Sequence, residues 1–562
     1  MHVSLLGRRC RALILGAFIS VATIALPASA QVPGVFDVTQ HGAAGDGQTV
    51  NTKAIQATID ACAQAGGGSV VFPAGRYVSG TVFLKDNVRL ELASGAVLLG
   101  STNLADYPIT RCEFPSRTDT YTARALIWGE GLHNVGISGP GTIDGQGAAF
   151  RDFEATPEEM AAHTETYTAE GRHVPTKNYF NRPYIIRLIS CRDVLIENLT
   201  LLNSPMWMQH YLDCDFVTLR GVKVINHGAA NNDMVDIDCC RDVVISDCFG
   251  DSDDDALTLK STGARPTERV TITNCVLASH CNAIKAGTES AGGFKDIAIS
   301  NCVITRSVHE HLAGRAEGLG GIALEIVDGG TLDGVTISNI TVQDTTAPIF
   351  LRLGNRARPA KVSDPKPGVG TFRNVSISNI VARGASSTGC AIAGIPGHPI
   401  ENVSLSNVQM IFAGGGTAEQ AAATVPENED KYPESTMFGT LPAYGLYVRH
   451  VTGLSLNDIQ LSTATPDLRP ALVCDDVRDL RVEAFRAAVM PDAIAAVLLN
   501  NTSNVLITGS QAAEGSTFLR MNGTCERVSL LGNDLSRARV PFSSETEPAP
   551  VLVSGNIMPA GE

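Results

Sequence analysis

Residues 192–200 read RDVLIENLT, residues 241–249 RDVVISDCF, residues 268–276 ERVTITNCV and residues 295–303 KDIAISNCV. Each unit is a polar turn, then two apolar residues spaced by two, then Asn or Asp. The unit recurs at 215–224, 333–341, 373–381, 401–409, 452–460, 478–485, 503–510 and 526–533, at a common spacing of 23–28 residues that stretches to 38–51 where loops are inserted. So short a spacing leaves no room for a crossover helix, which excludes βαβ units. The hairpin turns every 8–12 residues that a sandwich needs are mostly missing. The remaining solution is an all-β solenoid, a parallel β-helix in which each coil buries its apolar pair on the next. Recurrent Asn at the strand ends predicts side-chain ladders at a bend, because Asn tolerates left-handed backbone and satisfies local polar groups. Cys248, Cys275 and Cys302 stand 27 residues apart. At that period they predict stacked core thiols rather than disulfides, since free cysteine packs as a small hydrophobe. No C-x-x-C pair points to zinc, and no metal or cofactor is expected.

The first thirty residues differ from the rest. Arg8, Arg9 and Arg11 precede an apolar run from Ala12 to Leu26, followed by Ala28-Ser29-Ala30. That is the pattern of a cleaved signal peptide over 1–30, and it implies export to the periplasm or the extracellular space. Residues 31–562 are read as a single solenoid domain, with 31–100 forming an N-terminal cap and the first coils. Within the cap, Ala54, Ile55, Ala57, Ile59 and Ala61 predict a short helix over 52–65. Asn51 or Thr52 is placed to cap its start and Gly66-Gly67-Gly68 to end it. Such a helix covers the open end of the solenoid. The chain carries 43 Lys and Arg against 58 Asp and Glu, a net charge of −15. That balance argues against nucleic acid and anionic membranes as partners, and no later run is long enough for a membrane span. A monomer is expected.

The stretch 250–261, GDSDDDALTLKS, places Asp251, Asp253, Asp254 and Asp255 at the mouth of a strand. A calcium site, a set of carboxylates for acid–base chemistry and a solvated acidic turn are the three readings. In a solenoid, residues one coil apart stack about 4.8 Å from each other. Asp233 precedes Asp254 by 21 residues and His280 follows it by 26, so three coils should bring Asp233, the Asp254/Asp255 pair and His280 onto one wall. Clustered carboxylates drive their pKa values apart, leaving one protonated and another ionised, as glycoside hydrolysis requires.

These segments resemble the polygalacturonase-like glycoside hydrolases of family 28, pectin-degrading enzymes that fold as right-handed parallel β-helices. Residues 36–100 resemble the family's entry segment, 182–210 its R-P…N-S-P-x-W stretch and 231–261 its N-T-D…G-D-D…K core. The resemblance implies a pectic poly- or oligosaccharide substrate and an inverting displacement. Asp254 would be the general acid, Asp233 and Asp255 would hold the attacking water, and His280 would support the acid. Asn231, Lys260, Lys285 and Arg352 become candidate substrate ligands, with Arg356 and Arg358 near the same wall. Lys260 also reads as a surface residue, and Trp207 as either a sugar platform or core. The family's basic R-I-K has no counterpart at 320–330, where Glu325 stands instead. An acid there predicts a neutral sugar such as rhamnose on one side of the cleaved bond.

A calcium-dependent polysaccharide lyase is the enzymatic rival, since the four aspartates suit a hard cation. A non-catalytic carbohydrate-binding solenoid is the rival from another class. The inserts at 101–131, 148–181 and 414–440 predict walls that close one end of the groove, and hence action on chain ends.

Overall fold

The computed structural model describes residues 34–546 except 115, together with 549 and 551–560. The expected signal peptide lies outside the described residues.

The strands pair in parallel, each with its counterpart in the coils before and after. Tyr184–Ile189 lies between Ala125–Glu130 and Gln209–Leu212, Arg192–Glu197 between His133–Ser138 and Asp215–Arg220, and Thr200–Leu202 between Thr142–Asp144 and Lys223–Asn226. Three such stacks running the length of the chain make a parallel β-helix. The repeat unit explains the register. Val194, Val217, Val243, Val270, Ile297, Val335, Val375 and Val403 align coil upon coil, and all are buried in one continuous core.

The turns after the later of these strands form the expected ladder. Asn301, Asn339, Asn379 and Asn407 adopt left-handed backbone with φ of 51–58°. The amides of the last three each donate to the asparagine one coil before, at 3.0, 2.9 and 2.8 Å, and that of Asn301 donates to Thr273 Oγ1 at 3.3 Å. Cys248, Cys275 and Cys302 sit at equivalent places in successive coils, each thiol donating to the carbonyl two residues before it at 3.2–3.3 Å, and all thirteen cysteines among the described residues are free and buried.

Helix α1 (Thr52–Gln64) caps the first coil through Ile55, Thr58, Ile59 and Cys62. Its start differs from expectation. The Asn51 side chain makes no cap bond to the helix; it binds the backbone of Ala44 and Thr49 instead, at 2.7–2.9 Å, fixing the loop that leads in. The insert 148–181 contains helix α2 (Pro157–Ala169), which starts on a capping box between Thr156 and Glu159.

Candidate active site

The inserts converge on one wall of the β-helix. Arg117, Thr120 and Tyr121 come from the first, Thr176, Lys177 and Tyr179 from the second, and Tyr432 from the third. With Trp207, Asn231, Asp233, Asp254, Asp255, Lys260, Glu289, Arg356 and Arg358 they line a recess of about 470 Å³. These walls are built into the coils. Arg187, fully buried, holds Asp119 at 2.6 Å, and Ser116 meets Thr262 at 2.7 Å. Arg117 donates to the Pro359 carbonyl at 3.1 Å, and His173 contacts that of Ala360 at 2.9 Å.

Strand register sets the carboxylates. Val235 aligns with Leu257 and Leu257 with Ile284, so Asp255 stacks between Asp233 and Asn282. The Asn282 backbone and side-chain amides both donate to Asp255 Oδ1 at 2.9 Å, and the Lys285 ammonium donates to Oδ2 at 2.9 Å. Burial opposes ionisation of Asp255, but Lys285 and Lys260 overcome it and hold this carboxyl below the usual range. Asp254 differs. It is half-buried, accepts from Asn231 Nδ2 at 3.3 Å and from the Asp255 amide at 2.9 Å, and is pushed up by burial and by the charge of Asp255. Adjacent residues thus provide a proton donor and an ionised base, the division of labour that acid–base hydrolysis uses.

Lys260 is the hub beneath them. Its ammonium lies 3.4 Å from Asp236, 3.5 Å from Glu289 and 3.7 Å from Asp233, and 4.5 Å from the centre of the Trp207 ring. Burial disfavours its charge, yet Asp236, Glu289 and Asp233 hold its proton firmly. Burial raises Asp236 to about 8, and burial together with Asp236 and Asp254 raises Asp233. Glu289 stays ionised against burial because Lys260, Arg358 and Arg356 surround it; it also accepts from Tyr121 Oη and from Arg358 at 2.9 Å. Arg117 and Lys177 line the recess with no salt bridge among the described residues, so two cations face an incoming substrate without a carboxylate in contact, Asp328 acting on Arg117 only at longer range.

Six of the expected site residues meet in the recess: Trp207, Asn231, Asp233, Asp254, Asp255 and Lys260. Four lie outside it. Ser252 aligns with Ser279, which stacks His280 on Asp253 rather than on Asp254. A one-residue offset turns a side chain to the other face, and the Cys281 thiol, not the imidazole, contacts Asp254. Arg352 is buried and donates to the backbone carbonyls of Gly394, Glu427 and Asn428, anchoring the third insert. Lys285 sits behind Asp255, with Glu434 at 3.8 Å. Glu325 is fully buried with neither carboxyl oxygen hydrogen-bonded, and it faces no subsite. Trp207 is 4% exposed and packs on Tyr121, Tyr184 and His210, so its role is to seat Lys260; the exposed ring at the recess is Tyr432.

Sequence reasoning missed Glu289, Tyr121, Tyr179, Arg117 and Lys177. For Glu289 a signal exists: it follows Lys260 by 29 residues, one coil, and Ser261 aligns with Ser290.

Burial, reinforced by Glu434 and Asp255 and countered by Lys285, holds Glu325 protonated well above the ordinary range. A carboxyl raised in the folded state contributes stability below its unfolded pKa and loses it as pH rises toward the folded value. Glu325→Gln is therefore expected to gain thermal midpoint over wild type progressively above about pH 4.5. Midpoints measured from pH 4 to 8 check this, and parallel curves would contradict it.

A parallel β-helix with a proton-donating and an ionised carboxyl side by side in a walled, cationic recess has the architecture of an enzyme that cleaves polysaccharide. The chain belongs to glycosyl hydrolases family 28, whose sequence profile matches residues 62–429, and it is a glycosyl hydrolase. A probable polygalacturonase of Vitis vinifera is 28% identical over 446 residues, 73% of this chain and 83% of that protein. An exo-poly-alpha-D-galacturonosidase of Dickeya chrysanthemi is 26% identical over 382 residues, 56% of this chain and 63% of that protein. The crystal structure of a hyperthermoactive exopolygalacturonase from Thermotoga maritima shares the fold, with a TM-score of 0.59 at 18% identity, covering 77% of this chain and 92% of that one.

Proposed function

We propose that this enzyme hydrolyses pectic chains from their ends, releasing galacturonate with inversion. The observation that carries the reading is the recess itself, where residues of three inserts stand beside the carboxylates and Arg117 and Lys177 make no salt bridge among the described residues. A terminal uronate placed there supplies the missing anion. Asp254 gives its proton to the glycosidic oxygen as the bond to the anomeric carbon breaks. Water attacks that carbon from the opposite face and gives its proton to Asp255, assisted by Asp233. The preference for a neutral sugar that Glu325 suggested is withdrawn, because that carboxyl is buried away from the recess. Cleavage of an external polymer fits the export read from residues 1–30.

The lyase reading loses its support in the same geometry. The place of a hard cation beside Asp255 is taken by Lys285 at 2.9 Å, and the two recess-side aspartates are engaged by Asn231, Asn282 and Lys285.

Digestion of polygalacturonate tests the exo-acting part. Monomer or dimer is expected as product from the first time points, with viscosity falling slowly. A rapid viscosity drop before reducing sugar accumulates would show internal cleavage.

A further inference from the structure

The other two aspartates of the 251–255 run face away from the recess, where they meet histidines. His227, Asp253 and His280 come from three successive coils, and each offers a donor atom within 4.8 Å of the other two.

Outer hydrogen bonds select the donor on each ring. His280 Nε2 lies 3.0 Å from the His309 carbonyl. A carbonyl only accepts, so Nε2 carries the hydrogen and Nδ1 of the neutral ring is a bare lone pair. That Nδ1 is buried without a hydrogen-bond partner on a residue 2% exposed. His227 Nε2 is held by Asp251 Oδ1 at 3.0 Å, which leaves its Nδ1 3.8 Å from Asp253 Oδ1 and likewise unpartnered. Asp253, 3% exposed, is itself oriented by the Leu312 amide at 2.9 Å.

Buried acceptors aimed at one another are costly unless a positive group lies between them. The separation of 3.8 Å between His227 and Asp253 is too long for a hydrogen bond. It is close to the roughly 3.4 Å that separates donors around a tetrahedral ion with ligands at about 2.1 Å. The far nitrogen of each imidazole rests on a carboxylate or a carbonyl, the outer arrangement that orients metal-binding histidines. Two imidazoles and a carboxylate suit zinc-class ions rather than calcium.

We propose that His227 Nδ1, Asp253 and His280 Nδ1 bind one divalent transition-metal ion of the zinc class, with water completing the tetrahedron. His311 is not a ligand. Its Nδ1 accepts from the Arg315 amide at 3.0 Å, so its Nε2 carries a hydrogen and faces Asp253 Oδ2 at 3.7 Å. The ion acts as a clamp. It joins three coils at the residue directly before Asp254, and through Leu312 and His309 it fastens the 306–317 segment behind the acid-bearing turn. The competing explanation is a proton on His227, shared between Asp251 and Asp253.

Tag-free full-length protein, stripped with a chelator, is titrated with zinc by calorimetry and with cobalt(II) by visible absorption. The expected results are one ion per chain, the bands of tetrahedral cobalt, and a thermal midpoint raised by a few degrees at saturating zinc. His280→Gln and His280→Ala should abolish binding, and Asp251→Asn should weaken it about 10–100-fold. The wild-type titration does not depend on how the variants fold. Absence of saturable one-to-one binding, the result a proton on His227 requires, overturns the proposal. So does a His280 variant that binds cobalt like wild type.

Discussion

Asp254→Asn is expected to lower kcat about 10²–10⁴-fold. An amide has no proton to give the leaving oxygen, and the ionised Asp255 beside it cannot supply one. The thermal midpoint should hold or rise, because the neutral amide ends the repulsion from Asp255 that helps push Asp254 up. KM should change little if the loss is confined to the transition state. The alkaline limb of the wild-type pH–rate profile should then reflect loss of the Asp254 proton, displaced above the usual aspartate range, and the acid limb protonation of Asp255, displaced below it. A variant with more than about a tenth of wild-type turnover would contradict the role of Asp254.

Lys260→Met should damage both activity and stability. The ammonium is 4% exposed and stands among Asp233, Asp236 and Glu289 at 3.4–3.7 Å. Removing one partner from a buried charge cluster costs at most about 3–5 kcal/mol, a ceiling here because Asp233 and Asp236 can take up protons and Glu289 keeps Arg358 and Arg356 beside it. Asp233 and Asp236, already raised, should then hold protons to still higher pH, and Glu289 should rely on Arg358 and Arg356 alone. Denaturant unfolding of the variant measures the stability loss, and the pH–rate profile reports the shift in the carboxylates. A midpoint within a degree of wild type and an unchanged profile would mean that Lys260 is not the hub of the cluster.

The β-helix was legible because its period is written in the chain. An apolar pair followed by Asn every two dozen residues is both the local signal for a strand with a bend and the global signal for stacking. Asp233, Asp254 and Asp255 were legible for the same reason, since one-coil spacing translates directly into adjacency. The chain's period does not resolve a single residue of register. Coils here differ in length, with Asp233 stacking on Asp255 but His280 on Asp253, and an interval of about one coil does not say which of two neighbouring side chains faces the recess. Glu325 and Arg352 are similar cases. They align in register, yet the strands they occupy lie under the third insert, and Arg352 turns to that insert's carbonyls while Glu325 is sealed in. Arg117, Tyr121, Lys177 and Tyr179 were out of reach because inserts carry no period. Their positions follow from anchors such as Arg187–Asp119, whose partners lie far apart in sequence.

The most direct test of the account follows the first turnovers on a short α-linked oligogalacturonate by proton NMR. The account predicts free galacturonate from one chain end, appearing first as the β-anomer and equilibrating afterwards. First appearance of the α-anomer, internal fragments ahead of monomer, or an unsaturated product would contradict it.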